Sequence, residues 1–135
     1  MHKVLTLCLC LLLLVACQPK PADNSVRVLL QGSEWQLLIA PASIPVETPL
    51  RLTLVSQHPV EVISAELTAV SMYMGLIPLR FQKLSTPTMD GSEHWQSEFL
   101  LGACSDPAMV WQLNLTVLLA DGRKLSINEQ FNSSW

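Results

Sequence analysis

The segment Ser71-Met72-Tyr73-Met74-Gly75 carries two methionines separated by one residue. On an extended strand their side chains face the same way, about 7 Å apart at the backbone. Further on, Gly102-Ala103-Cys104-Ser105-Asp106-Pro107-Ala108-Met109-Val110-Trp111 carries a thiol, an Asp-Pro turn signal and a third thioether. Thioether and thiolate sulfurs are soft ligands that favour Cu(I) over harder metals. Two to four of them in a trigonal or tetrahedral set would hold Cu(I) and shield the thiol from oxidation. The candidate ligands are therefore Met72, Met74, Cys104 and Met109, with His94 and Trp95 as accessory positions. A single imidazole beside thioethers suits Cu(I) better than Cu(II). Trp95 reads either as core or as a ring lying over a bound cation. The geometric test is simple: sulfurs of Met72, Met74 and Cys104 within about 4–5 Å of each other near the surface support a site. A Cys104 buried far from both removes it.

Each of these residues has an ordinary explanation when taken singly. Methionine fills irregular gaps in cores. A free cysteine is among the most buried residue types. Trp111 alternates with Leu113 and Leu115 and reads as the central core tryptophan. Met89, in Thr88-Met89-Asp90-Gly91, reads as an exposed turn residue, and Gly75 and Gly102 read as turn glycines.

Other chemistry has little support. The chain has no Gly-rich phosphate loop, no HExxH and no GxSxG, and no CxxC lies beyond residue 17. Beyond that residue the only histidines are His58 and His94, and no spacing suggests a Ser/His/Asp set. The expectation is a protein that is not an enzyme and has no small-molecule substrate.

The first residues set the compartment. Lys3 precedes an uncharged apolar run from Val4 to Ala16. That run is too short to span a bilayer, which takes about 20 residues, and has the layout of a signal peptide. Its end, Leu14-Val15-Ala16-Cys17, resembles the lipobox of bacterial lipoproteins. The resemblance implies cleavage before Cys17, lipidation of its thiol by diacylglycerol, and acylation (typically palmitate) of the new amino group. Gln18, where an Asp would retain the protein in the inner membrane, implies an outer-membrane anchor facing the periplasm. Residues 1–16 are thus read as signal, 17–25 as lipidated cysteine and tether, and 26–135 as one domain. Cys8 and Cys10 leave with the signal, so Cys104 has no partner for a disulfide in an oxidising compartment. Loss of Lys3 leaves seven cations against eleven anions. An acidic chain without a basic patch excludes the electrostatic drive for nucleic-acid binding.

The elements that must position the sulfurs read as short strands. Val26–Leu30 and Glu34–Ile39 flank Gln31-Gly32-Ser33, a hairpin pattern. Prolines 41, 45 and 49 exclude a regular helix between them. Leu50–Leu54 alternates with period two. Glu61–Val70 reads as a strand, with helix left open by its Ala and Glu content. Leu79–Leu84 follows Pro78, and in 94–101 Trp95, Ser97, Phe99 and Leu101 share a face. In 109–117 Met109, Trp111, Leu113, Leu115 and Val117 share a face, and Asp121-Gly122 is a strong hairpin turn before Lys124–Asn128. About seven or eight short strands with frequent turns predict an all-β, antiparallel, Ig-like sandwich.

The MxMG segment followed by CSxPxMxW on such a domain resembles periplasmic copper-handling proteins of the FixH-like and YtkA-like kind, over residues 50–120. The resemblance implies a Cu(I)-binding envelope protein that delivers or buffers copper. Its partner would be a copper acceptor or a Sco-like protein in cytochrome oxidase assembly. The competing reading is an interaction lipoprotein without metal, which presents the apolar loop Gly75-Leu76-Ile77-Pro78-Leu79 to an envelope partner.

Overall fold

The computed structural model describes residues 23–85 and 88–135. The lipobox, Cys17 and most of the tether lie outside them. The described residues form nine strands: β1 (Arg27–Gln31), β2 (Trp35–Ala40), β3 (Leu50–Ser56), β4 (Val60–Ala69), β5 (Leu76–Leu79), β6 (Gln82–Lys83), β7 (Glu93–Phe99), β8 (Val110–Leu119) and β9 (Lys124–Asn132). Among the described residues no helix is long and apolar enough to cross a membrane.

Two antiparallel sheets form, with orders β1-β2-β3-β7-β6 and β5-β4-β8-β9. Strands β2-β3-β7-β6 and β4-β8-β9 take the places of A-B-E-D and C-F-G in an immunoglobulin constant-type sandwich, with β1 and β5 added at the edges. The expected all-β, Ig-like sandwich is therefore what the chain forms, with nine strands rather than seven or eight.

The core follows from period-two patterning. β8 alternates buried Trp111, Leu113, Leu115, Val117 and Leu119 with half-buried neighbours. Leu37, Ile39, Leu50, Leu52 and Leu54 face them from the other sheet. Trp111 is fully buried, and its indole N–H donates to the buried Ser133 Oγ at 3.2 Å, so burial leaves no orphan donor. β8 and β9 join through the expected turn, with Gly122 at φ +85° closing a three-residue loop.

The segment Leu79–Leu84 is not one strand. β5 pairs with β4 in one sheet and β6 with β7 in the other, so the chain changes sheets at Arg80-Phe81. The apolar stretch 75–79 is not a loop either. It is mostly edge strand β5, where Pro78 costs no ladder bond because an edge leaves one side unpaired. β4 is a strand throughout Val60–Ala69, so the segment is strand and not helix, with Val70 just beyond its end.

Strand directions place the remaining features. The start of β1, the end of β2, the start of β3 and the end of β7 lie together, as the pairs Arg27↔Ile39, Ala40↔Arg51 and Leu50↔Phe99 show. The end of β4, the start of β8 and the end of β9 lie together through Ala69↔Trp111↔Phe131. Loop 100–109 joins these two sets, and the Glu47 N–H to Leu101 O bond fastens it to the β2–β3 loop. One end of the sandwich thus holds the chain's entry, loop 70–75 and loop 100–109. Asp23 and Ser25 fix the entry point: Ser25 Oγ accepts from Ala42 N–H at 3.1 Å, and Ser43 Oγ donates to Asp23 at 3.4 Å.

Candidate sulfur site

β4 stops at Ala69 because the next residues bond differently. Val70 N–H still reaches Val110 O, but Ser71 Oγ then accepts from Val110 N–H at 3.1 Å and donates to Met109 Sδ at 3.3 Å. A serine side chain replaces the backbone ladder, as serine commonly does at strand and helix ends. The chain leaves as loop 70–75 and turns at Gly75, whose φ of +81° suits glycine. Met72 and Met74 therefore sit on a loop, not on a strand as the sequence suggested, and their alternation does not set their direction.

Loop 100–109 meets this loop from β7. Asp106 Oδ1 accepts from Ala108 N–H at 2.9 Å, forming the expected Asp-Pro turn. Cys104 is half-buried, and its thiol donates to Met72 Sδ at 3.0 Å. Met72 is 42% exposed and Met74 37%. Met74 Cε lies over Gly102, 3.3 Å from where a Cβ would stand. Gly102 thus gives Met74 room beside the cysteine loop. The two segments quoted from the sequence meet through one thiol–thioether contact, and the Met74 methyl packs over Gly102 of the cysteine loop.

Met109 is placed differently. It is fully buried and packs in the core cluster beneath Ser71. It shapes the floor under loop 70–75 and is not a surface ligand in this arrangement. His94 and Trp95 are not near the sulfurs. His94 stands five residues before Phe99 on β7, about 17 Å away by strand rise. Its ring lies 3.2 Å from Ser92 Oγ. Trp95 packs on the core, and its indole N–H donates to Glu93 at 3.1 Å. Sequence proximity to Cys104 misleads here because β7 runs from one end of the sandwich to the other.

A metal between the two sulfurs requires a small movement. With metal–sulfur bonds of about 2.3 Å, the zinc–thiolate length, trigonal geometry puts sulfurs about 4 Å apart. The observed 3.0 Å must open by about 1 Å, within the reach of two side chains on surface loops. Among the described residues no group of three or more His, Cys, Asp or Glu converges as a metal site. The donor set at this end is soft sulfur.

A second polar cluster lies at the opposite end. His58 Nε2 is 2.9 Å from Glu34 Oε1, and Arg123 Nη1 is 3.2 Å from Glu34 Oε2. The His58 bond first, then the Arg123 bond, hold the Glu34 carboxyl below the usual glutamate range. These residues border a cavity of about 170 Å³ with Trp35, Leu54 and Leu125. Sequence reasoning did not single them out, because positions 34, 58 and 123 meet only through strand pairing. Ser56 Oγ donates to His58 O at 2.8 Å and is not aimed at the imidazole, so the two do not form a nucleophile–base pair in this cluster. A wider groove of about 780 Å³ beside Asp23, Pro45, Arg51 and Trp135 contains neither sulfur nor imidazole.

No protein-family model matches the chain, and no curated protein matches it. Among solved structures, the chain is similar to a DUF4426 family protein from Pseudomonas aeruginosa PAO1. The TM-score is 0.54 with 13% identity, covering 80% of this chain and 96% of that one. At that identity the likeness is one of fold: a β architecture shared over most of both chains.

Proposed function

We propose that the protein is an envelope lipoprotein, anchored through Cys17, that binds Cu(I) between loops 70–75 and 100–109 and delivers or buffers it. The observation that carries this is the Cys104–Met72 contact, with the Met74 side chain packed over Gly102 of the same loop and able to supply a third sulfur. A thiol and two thioethers form a donor set that prefers Cu(I). Met109 serves as packing beneath the site, and His94 and Trp95 have no part in it. Kinship with FixH-like and YtkA-like proteins is part of this proposal, and a Sco-like or other copper-accepting envelope protein would be the partner.

A second reading has its own observation. Tyr73 is 91% exposed between the two methionines, and Leu76 and Leu100 are exposed at the same end of the sandwich. An apolar surface of this kind marks a contact face with or without a metal. The discriminating experiment is a Cu(I) titration of the reduced protein against a competing chelator, with Cys104→Ser and Met72→Ala/Met74→Ala in parallel. One Cu(I) per chain, lost in both variants, supports the copper reading. Binding no tighter than in the variants leaves only the contact surface.

A further inference from the structure

The exposed apolar side chains are unevenly distributed. Val70, Met72, Tyr73, Leu76, Leu100 and Trp135 are all exposed, and all lie at or just beyond the strand ends that also hold the chain's entry. Trp135 follows Ser134, whose N–H donates to Ile44 O, so it sits beside the β2–β3 loop at that same end. Among the described residues, only Val28, Val62 and Met89 are large, apolar, exposed and placed elsewhere. Residues 18–22 alone separate Cys17 from Asp23, which is bonded to this end. By chain length, Cys17 lies within about 20 Å of it.

We infer that this end docks on the bilayer that holds the lipid anchor, so that the sandwich stands end-on with Tyr73 and Trp135 at the headgroup level. The inference rests on the anchor at Cys17 proposed above, and it sets the copper site at the headgroup level, where only a partner at the membrane surface could exchange the ion. Tyrosine and tryptophan favour the membrane–water interface because their rings are apolar and their polar atoms stay wet. The short tether holds this end near the surface whatever its affinity, so a modest apolar contact suffices. The chain is acidic, so the contact depends on apolar insertion rather than on attraction to anionic lipid.

The test uses the full lipidated protein reconstituted in phosphatidylethanolamine–phosphatidylglycerol vesicles whose acyl chains carry bromine, a short-range quencher of indole fluorescence. The Trp135 signal is the difference between the protein and its Trp135→Phe variant. A Met89→Trp change in that variant reports the opposite end. Trp135 should lose half or more of its emission, the indole at position 89 should lose almost none, and 0.5 M salt should change neither. Leu76→Glu with Leu100→Glu, both exposed, should restore the Trp135 signal with an unchanged circular dichroism spectrum. Co-flotation with the vesicles checks the anchor separately. A protein that does not float overturns the anchor and the docking with it. A protein that floats with Trp135 unquenched, or with both ends quenched alike, overturns the docking and leaves the anchor standing.

Discussion

The Cys104 thiol lies 3.0 Å from the Met72 thioether, joining two loops 32 residues apart in the chain. Met72 is exposed, while Cys104 is half-buried and packs against the edge of the core cluster. With Met72 exposed, the contact adds little to folding, and the sulfurs are separable from the scaffold by mutation.

Met72→Ala should change stability by no more than about 0.5 kcal/mol, the usual range for surface positions, and Cys104→Ser, half-buried against the core edge, by about 1 kcal/mol. Met109→Ala should cost about 2–5 kcal/mol, because it opens a cavity in a packed core. Urea denaturation of the three variants checks this. A large loss in Met72→Ala would mean that the loop sulfur is structural.

Much of this arrangement was legible in the sequence. The 109–117 alternation identified β8 because every second residue is apolar and the partner face is buried. Asp121-Gly122 identified the hairpin because the turn needs a left-handed residue at Gly122. Trp111 was recognisable as core from the same alternation. The change of sheet at Arg80-Phe81 was not legible, since apolar residues on either side face the same core from opposite sheets. Nor was the loop character of Met72 and Met74, which depends on Ser71 capturing the Val110 N–H from another strand. The distance of His94 from Cys104 depends on the length and direction of β7, which spacing does not reveal.

Ser71 holds the two loops in register without offering a metal ligand. Ser71→Ala removes its bonds to Val110 N–H and Met109 Sδ. With Cu(I) bound at the proposed sulfur site, the affinity of this variant should be about tenfold lower, as supporting residues around metal ligands commonly show, at the same stoichiometry as the parent. Chelator competition reads this directly. An unchanged affinity would show that the loops hold their positions independently.

Glu93 ties the two sheets at the opposite end. It accepts from Val60 N–H at 3.0 Å and Trp95 Nε1 at 3.1 Å, and pairs with Lys83. Burial by itself would raise its pKa; the bonds from Lys83, Val60 and Trp95 together outweigh that and hold it below the usual glutamate range. A depressed carboxyl contributes stability at neutral pH that is lost as pH falls through its folded pKa, below the ordinary glutamate value. Glu93→Gln should therefore be less stable than the parent at pH 7, and the difference should shrink towards pH 3. Thermal melts across that range check the sign, and a difference that grows on acidification would contradict it.

Ser97 Oγ is buried mid-strand on β7 with no hydrogen-bond partner among the described residues. An unsatisfied buried hydroxyl costs about 1–3 kcal/mol. Ser97→Ala should be neutral or stabilising, by up to about 1 kcal/mol, despite losing an atom from the core. A clear destabilisation in urea would mean that the hydroxyl finds a partner in solution.

The most direct test of the sulfur site is X-ray absorption at the copper edge of the Cu(I)-loaded protein. A Cu(I) edge is expected, with a first shell of two or three sulfurs and no nitrogen or oxygen. In Cys104→Ser that shell should lose a sulfur or disappear. A first shell of nitrogen and oxygen, or a spectrum that Cys104→Ser leaves unchanged, would contradict it.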